Sequence, residues 1–490
     1  MLSVAVFRSG GTSSLWRLSS QYSSLARLPA SIRCFTRDSP SAHHTPSSKS
    51  TQNRNSSNSS LAYSGTPRRL SYAPFSTSTQ GSDTADWDHN PNLAISNFSE
   101  LPSKDFGVNQ HMIINQEFKE ALRQILWQFR APIRYAFAYG SGVFPQNGSA
   151  ASSLSTHPSA PAAIKNMQQG SGKMIDFIFG VSYSQHWHSL NLMQHRDHYS
   201  GLGSLGSYAV SQVQDRFGAG VYFNTHWNTL YLAGRLQKPV KILRDHPKIR
   251  LANQINLLSA LRVALLLLPE RFTEFQLYNT IAGISYMGDL RMVLAAEDPG
   301  KVHNIVSGQM THFRRLYEPL ISNLPNVDFN DPRCSQSDWV DDPNAVLSMQ
   351  QDMDPMKRGN MVRRLPESFR EKLYFQYQGR YAIPRAEFNK MMEESTDTKQ
   401  DIVRRPQGGP FERRIASDDR LKEEVSTAIM KTIRWPSTIQ TIKGPLTAGF
   451  RKSWLYLREK REKHKKSQKA LKSQATGSTS GEKADTKKGQ

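Results

Sequence analysis

The sequence is poor in cysteine and contains no long hydrophobic run. Cys34 and Cys334 are the two cysteines among 490 residues, too few for a disulfide scaffold or a four-ligand zinc site, and they fit a reducing compartment. The longest apolar run, Val263–Leu268, is far shorter than the about 20 residues that cross a bilayer. Hydrophobic residues make up only 37% of the chain, so we expect part of it not to fold.

Acidic residues are fewer than basic ones, 41 against 63, and the imbalance differs along the chain. The formal net charge is +22, of which residues 1–82 carry +8 and residues 451–490 carry +9, so the body between them is only mildly basic. The excess therefore lies at the two ends, which argues against a broad basic surface. Because no RNA-binding aromatic motif accompanies it, we predict no nucleic-acid partner.

Both ends are predicted to lie outside the fold. Residues 1–37 contain five arginines, many serines and no acid, a pattern typical of a mitochondrial transit peptide, with a plain disordered basic tail as the alternative. The polar stretch 38–94 is predicted to be a disordered linker, and residues 473–490 a disordered tail.

The first ordered region is predicted to span residues 95–249. Residues 115–130 have helical spacing, residues 133–138 form a short β-type run, and Lys173–Val181 is predicted to be a buried strand. The low-complexity stretch 145–172 is interpreted as a loop insertion.

The second half is predicted to be mainly helical. Residues 250–325 form a small helical domain, in which Pro269 ends one helix and the capping-box pattern Thr273-x-x-Gln276 begins another. Residues 326–420 lack periodicity and are expected to be an irregular, partly disordered insertion. Residues 421–472 are predicted to form amphipathic basic helices with two apolar stripes: Val425, Ile429 and Ile433, then Phe450, Trp454 and Leu457.

A glycine-serine turn followed by a strand with an acid is the first chemical signal. Gly140, Ser141 and Gly142 directly follow a strand, and their backbone N–H groups could approach a phosphate, although tight turns use the same residues. Asp176 lies among apolar residues of the next strand, where a carboxylate is costly unless it is paired or binds a cation. This order is the skeleton of the nucleotidyltransferase fold, but Ile178 occupies the position where a second acid is usual.

Two polar segments follow. In His186-Trp187-His188, two histidines two positions apart could ligate a metal on a strand, but contacts with phosphate or nucleotide, or a structural role, fit better because no further zinc spacing is present. Arg235, Lys238 and Lys241 lie in a β-like run and could balance a polyphosphate or a lipid phosphate, with a solvated basic edge strand as the alternative.

Together these segments resemble the mitochondrial CDP-diacylglycerol synthase family, the translocator assembly and maintenance type of phosphatidate cytidylyltransferase. The resemblance covers residues 100–325 and 421–460. The matching segments are YGSGVF (139–144), MIDFIFGV (174–181), HWHSLNL (186–192), HYS (198–200), FGAGVYFN (217–224), LYLAGRLQKPVKI (230–242), ISYMGDLRM (284–292), KVHNIV (301–306) and TIKGPLTAGF (441–450).

The resemblance implies an α+β fold: a nucleotidyltransferase-type mixed-sheet domain, a small helical winged-helix-like domain and a C-terminal amphipathic helix. It also implies the Mg²⁺-dependent conversion of CTP and phosphatidate to CDP-diacylglycerol and pyrophosphate, which supplies phosphatidylglycerol and cardiolipin synthesis. The implied location is the matrix side of the mitochondrial inner membrane, as a peripheral protein on anionic lipid.

The expected site residues follow from these segments. Asp176 and Lys238 are expected to be catalytic, with Asp176 also the metal ligand, and Arg235 and Lys241 to bind phosphatidate. Phe450, Trp454 and Leu457 are expected to enter the membrane surface. The residues expected to bind the nucleotide are Gly140, Ser141, Gly142, His186, His188 and Asn191.

The chain departs from the family pattern in one place. After Asn224 an internal segment of the family is missing, and it should include a strand of the catalytic sheet. Together with Ile178, this gap favours an alternative function, a catalytically impaired lipid-binding factor that supports inner-membrane protein import.

Overall fold

The structure is a computed structural model with a mixed α+β fold. The predicted loop insertion, Phe450, Trp454, Leu457 and nearly all of both chain ends lie outside the residues that it describes, so those expectations stay predictions. The described residues are 2–8, 87–88, 93–144, 175–216, 221–222, 229–289, 300–335, 339–342, 345–395, 407–448 and 458.

A five-stranded mixed sheet forms the first part of the fold. Its central pair is β2 (Tyr135–Tyr139) and β3 (Ile175–Val181), which are antiparallel and almost wholly buried, as the apolar runs in the sequence predict. The outer strands are β4 (Val221–Tyr222) and β5 (Lys241–Arg244), and with β1 (Leu2–Arg8) the order across the sheet is β4-β1-β3-β2-β5.

The strand β1 (Leu2–Arg8) lies inside this sheet, parallel to β3 and antiparallel to β4. The expectation that the whole N-terminal stretch lies outside the fold is therefore wrong for these seven residues. Their sequence, LSVAVFR, is apolar and rich in β-formers, which lets it pair with a buried strand. This local pattern was not used for the prediction, because residues 1–37 were interpreted from their overall composition.

The two faces of the sheet carry different cores. On one face, Ala138, Phe177 and Phe179 pack with buried residues of α1 (Gln116–Trp127), whose N-cap Asn115 accepts a hydrogen bond from the Phe118 N–H at 3.2 Å. On the other face, β2 and β3 contribute residues that pack with Leu236, Val240 and Ile242, namely Tyr135, Phe137, Tyr139 and Ile178. The period-two alternation of side chains explains the division.

Further helices surround the sheet. They are α2 (Ser184–Gln194), α3 (Gly206–Arg216) and α4 (Thr229–Leu236). The placement of α4 corrects the β-like interpretation of residues 234–241. Gln237 N–H still bonds the Ala233 carbonyl at 3.1 Å, so the helical turn continues before the strand starts at Lys241.

The second part of the fold is mainly helical, as predicted for residues 250–325. Helix α5 (Pro247–Leu267) is buried along most of its length and spans the boundary expected at residues 249–250. The capping box is confirmed, since Thr273 and Gln276 each bond the other's backbone N–H at the start of α6 (Glu274–Ile284). Helices α7 (Lys301–Ser307) and α8 (Met310–Ile321) follow.

A three-stranded antiparallel sheet closes this part. Its strands are β6 (Arg271–Thr273), β7 (Val327–Phe329) and β8 (Ser348–Gln351), in the order β6-β8-β7. Both β7 and β8 come from the region expected to be irregular, so the helical part needs residues beyond 325 to complete its sheet.

The expectation of an irregular insertion at 326–420 is therefore wrong for most of its described residues. Four helices form there: α9 (Pro355–Arg363), α10 (Glu367–Arg380), α11 (Arg385–Ser395) and α12 (Pro410–Ala416). Buried arginines such as Arg358 and Arg370 occupy core-facing positions. An apolar periodicity does not detect such faces, because the residues inside them are charged.

The last described helix, α13 (Leu421–Ala448), buries the predicted stripe of Val425, Ile429 and Ile433 in the same core as α5 and α6. The helical spacing over residues 425–433 is thus confirmed. Among the described helices, none has the length and apolarity that a membrane crossing requires.

Candidate active site

The glycine-serine turn lies where β2 ends. Gly140 has a φ of +104°, a backbone conformation that favours glycine. Its carbonyl accepts hydrogen bonds from the N–H groups of Val143 and Phe144, both at 3.0 Å, and the buried Phe144 ring anchors the turn in the core. The turn is therefore fixed, while Ser141 and Gly142 remain partly accessible.

Asp176 lies beside this turn. In the antiparallel register it pairs with Tyr139, the residue immediately before Gly140. Asp176 and Tyr139 are thus on the same face, at the edge where β2 ends. The register therefore places the turn and the acid, both predicted site residues, at the same edge of the sheet.

Position 178, two residues after Asp176 on β3, contributes no second carboxylate. Ile178 is fully buried among Phe137, Val240 and Ile242. A single protein carboxylate still fits Mg²⁺, because this ion is commonly bound by one or two carboxylates together with substrate phosphates and water.

Arg235 reaches the same face from the end of α4. Its guanidinium carbon lies 4.4 Å from the centroid of the Tyr139 ring, and its Nη2 donates to the Pro239 carbonyl at 2.8 Å. Since Tyr139 pairs with Asp176, the structure brings Asp176, the glycine-serine turn and Arg235 to one end of the sheet.

Lys238 adds a second cation near Arg235, and its side chain is almost completely buried. Its Nζ donates to Ser285 Oγ at 2.7 Å and to the Gly234 carbonyl at 3.1 Å. Burial lowers the pKa of Lys238 well below its ordinary value, and the positive charges of Arg235 and Lys301 lower it further. A negatively charged ligand nearby would oppose that shift.

Gly234 makes this arrangement possible. A Cβ atom at position 234 would lie 2.5 Å from the Cβ of Ser285, closer than real Cβ atoms approach. The glycine therefore lets α4 approach the residue that follows α6, and this approach places Lys238 on the Ser285 hydroxyl.

Lys301 is a residue that the sequence reasoning missed. Its Nζ lies 5.6 Å from the Tyr286 ring centroid, and the Nζ of Lys238 lies 4.9 Å from the same centroid. In the sequence it is a single lysine more than sixty positions after Lys238, so no local spacing connects them. Only its place in the KVHNIV segment marks it.

Lys241 does not join this group. It pairs with Ala138, whose side chain belongs to the opposite face of the sheet from Tyr139, and it lies near Lys119 and Arg123 of α1. The expectation that Arg235, Lys238 and Lys241 together balance one phosphate group is therefore wrong for Lys241. Arg235 ends a helix and Lys238 lies in the turn that follows it, whereas Lys241 starts a strand beside Ala138.

The histidine segment forms a helix, α2, not the strand considered for metal binding. His188 is fully buried, and its Nδ1 and Nε2 lie 2.8 Å from the Tyr199 hydroxyl and 2.7 Å from Gln214 Oε1. Asn191 is also fully buried and donates to the same Tyr199 hydroxyl at 3.2 Å. These contacts hold α2 against its neighbours, and they do not favour direct nucleotide contacts by His188 or Asn191.

His186 is exposed and lies on a different side of α2 from His188. Two residues apart on a helix are separated by about 200°, so the pair cannot share a ligand. The predicted contact between His186 and nucleotide stays a prediction.

A different set of potential ligands does converge in the described part of the chain. His195, Asp197 and His198 bring ligand atoms within 4.8 Å of one another. However, the His195 and His198 rings stack, with centroids 4.6 Å apart and an interplanar angle of 15°. Lone pairs in near-parallel stacked rings do not converge on one ion, so this geometry argues against a metal site there.

Comparison with known proteins gives a consistent result. The sequence model of the family described as "Phosphatidate cytidylyltransferase, mitochondrial" matches residues 122–226 and 225–463. The two blocks meet at residues 225–226, directly after Asn224, where the sequence analysis expects a missing segment.

Individual relatives carry the same description. The Xenopus laevis protein is 34% identical over 364 residues, 69% of this chain and 92% of its own length. The Schizosaccharomyces pombe protein is 43% identical over 245 residues, and the Saccharomyces cerevisiae protein is 38% identical over 255 residues. These two matches span 58% and 61% of the yeast proteins' lengths. The chain therefore belongs to the family of mitochondrial phosphatidate cytidylyltransferases.

Proposed function

We propose that this chain transfers the cytidylyl group of CTP to phosphatidate, forming CDP-diacylglycerol and pyrophosphate. The observation that carries the proposal is the meeting of the Gly140 turn, Asp176 and Arg235 at one end of the sheet. Backbone N–H groups, one carboxylate and a guanidinium are the groups that a triphosphate site needs.

In the proposed reaction an anionic phosphate oxygen of phosphatidate attacks the α-phosphorus of CTP. The bond between that phosphorus and the oxygen bridging to the β-phosphate breaks, and pyrophosphate leaves with the electron pair. The attacking oxygen is already ionised near neutral pH, so the site needs no strong general base. Asp176 would hold a Mg²⁺ ion, which would supply charge neutralisation on the phosphate oxygens.

The protein's own cations have two roles in this scheme. Arg235, fixed over Tyr139 and by the Pro239 carbonyl, orients one phosphate group. Lys238 and Lys301 lower the repulsion between two anionic substrates. Because burial and its cationic neighbours depress the pKa of Lys238, phosphate binding raises that pKa and favours uptake of a proton.

We further propose the domain types and the location that the family implies. The mixed sheet with its turn and acid supports a nucleotidyltransferase-type domain. In the second part, the succession α5-β6-α6-α7-α8-β7-β8 and the strand order β6-β8-β7 support a winged-helix-like domain. A peripheral position on anionic lipid at the matrix side of the mitochondrial inner membrane fits the basic C-terminal end.

The test is turnover by the complete chain, since β1 belongs to the sheet. Labelled CTP and Mg²⁺ are added to phosphatidate liposomes, and CDP-diacylglycerol is measured for wild type and Asp176→Asn. We expect the variant to lose about 100-fold or more of the activity, because its amide cannot replace a charged metal ligand. Unchanged circular dichroism and melting temperature would show that the fold is intact.

A second candidate function is a catalytically impaired lipid-binding factor that supports inner-membrane protein import. The buried Ile178 and the break in the family match at residues 225–226 favour it. Liposome binding without product formation by the wild-type chain would support this alternative. Product formation that is equal in wild type and Asp176→Asn would reject the assignment of Asp176.

A further inference from the structure

A cavity of about 400 Å³ lies at the outer edge of the five-stranded sheet. It is open to solvent on one side and is bordered by β5, by the start and middle of α1 and by the segment that precedes α1. Its volume is within the range of small-molecule sites. The residues lining it include Met112, Ile113, Lys119, Arg123, Lys241 and Asp245.

Three cations converge on this cavity. Lys119 and Arg123 are four residues apart on α1 and therefore share a helix face, and Lys241 enters from β5. Lys241 is only 7% exposed, and its Nζ donates to the Met112 carbonyl at 2.5 Å. Burial, with the positive charges of Lys119 and Arg123, lowers the pKa of Lys241 to about 8.

The nearby carboxylates of the described residues leave two of the three cations without an ion pair. Asp245 accepts hydrogen bonds from Arg250 Nε at 2.8 Å and from the His246 N–H at 2.7 Å, and it lies 2.9 Å from His111 Nε2. Burial alone would raise the pKa of Asp245, but its bonds to His111 and Arg250 lower it overall. Glu120 pairs with Arg123 at 3.0 Å on the exposed surface. Among the described residues, Lys119 and Lys241 have no ion-pair partner.

We propose that this cavity binds a phosphate group, at a site separate from the candidate active site. Phosphate offers several anionic oxygens to three cations and accepts charge-assisted hydrogen bonds from each. The register separates the two sites, because Lys241 pairs with Ala138 on one face and Asp176 pairs with Tyr139 on the other. The phosphate could belong to a soluble anion or to a lipid headgroup, and the exposed side chain of Ile113 at the cavity offers an apolar neighbour to a lipid.

The experiment compares two double variants of the complete chain. Lys119→Gln with Arg123→Gln removes two cations from the cavity and keeps good helix formers. Arg385→Gln with Lys390→Gln removes the same charge from two exposed positions of α11. Inorganic phosphate is titrated by calorimetry with CTP and Mg²⁺ already present, and flotation measures binding to phosphatidylcholine vesicles with and without phosphatidylglycerol.

We expect phosphate binding to weaken by about tenfold or more in the cavity variant and to stay unchanged in the control variant. If only vesicle binding weakens, the site takes the phosphate of a lipid headgroup. Equal binding by both variants in both assays would overturn the proposal. A parallel loss of CTP affinity in the cavity variant would also overturn it, because the cavity would then be part of the nucleotide site.

A third variant tests Lys241 directly. Near pH 8 an anion should raise the pKa of Lys241, so phosphate binding should take up protons, which calorimetry detects in buffers of different ionisation enthalpy. We expect this uptake to be smaller in Lys241→Met. Identical uptake in wild type and Lys241→Met would show that phosphate does not bind beside Lys241. None of these readouts depends on turnover, so a failure of the proposed enzyme activity would leave them interpretable.

Discussion

At the residue scale, the turn depends on the backbone of Gly140. Its φ of +104° lies in a region that side chains with a Cβ rarely adopt. Gly140→Ala is expected to cost about 1–3 kcal/mol of stability and to raise the KM for CTP, because the strained turn moves its N–H groups. Thermal unfolding and steady-state kinetics measure the two effects.

The matched control is Gly283→Ala, in α6, where an added Cβ meets no atom within 4 Å. Alanine is the better helix former, so this variant should keep its activity and should not lose stability. An equal rise in KM in both variants would show that the effect does not come from the turn.

The depressed pKa of Lys238 predicts that the stability of the fold depends on pH. Its folded-state pKa is depressed by burial and by neighbouring cations, so the unfolded chain takes up a proton at higher pH than the folded one. Below the ordinary pKa of about 10.4 this difference costs stability, and the cost disappears as the pH rises toward that value. Denaturation of wild type and Lys238→Met between pH 7 and pH 10 checks it.

We expect wild type to gain stability relative to Lys238→Met as the pH rises through this range. The difference between the two proteins is the useful quantity, because other groups titrate in both. A stability difference that is independent of pH would contradict a depressed pKa. In addition, turnover should fall in the variant if the amine acts on phosphate.

At the element scale, one buried ion pair connects α6, α8 and the segment at residues 339–345. Arg314 and Glu274 are both fully buried and paired, and Arg314 also donates to the carbonyls of Trp339, Asp342 and Ala345. Glu274→Gln leaves the guanidinium uncompensated and is expected to destabilise the protein by about 3–5 kcal/mol. Urea denaturation measures the change.

The adjacent pair Arg315–Asp341 provides the control on the same elements. It is solvent-exposed, with side chains 35% and 61% accessible, so Asp341→Asn should change stability by less than about 1 kcal/mol. Equal losses in both variants would show that burial does not set the cost.

Element-scale structure was predicted well where a pattern is local. The Thr273–Gln276 capping box and the buried stripe of α13 follow from spacings of three and four residues. Helices α9 and α10 escaped prediction because buried arginines interrupt their apolar faces. The strand Leu2–Arg8 escaped because the surrounding composition resembles a transit peptide.

At the whole-molecule scale, β1 is the most informative element. It supplies a neighbour to β3 along seven residue pairs, so deletion of residues 1–8 should lower the melting temperature by several degrees. Deletion of residues 483–490, which lie outside the described part of the chain, serves as the control. An unchanged melting temperature in the first deletion would show that the sheet folds without β1 and would favour removal of this segment as part of a transit peptide.

The sequence indicated individual parts of the candidate site, but it did not indicate which cations lie together there. The strand, the glycine-serine turn and the acid on the next strand are contiguous patterns, and their register follows once the two strands pair. Lys301 is absent from the predicted site because it is distant in sequence. Lys241 was grouped with the wrong partners because closeness in sequence does not specify a sheet face when a helix, a turn and a strand follow in succession.

The sequence by itself determined the family, the charge at the two ends, the central strand pair and the helix that begins at its capping box, because each depends on composition or on residues within a few positions of one another. The tertiary structure decided that Arg235 lies over Tyr139, that His188 is inside the protein and that Lys241 faces a separate cavity. These outcomes depend on which distant surfaces pack together, since burial and pairing are properties of the folded chain and not of any local pattern.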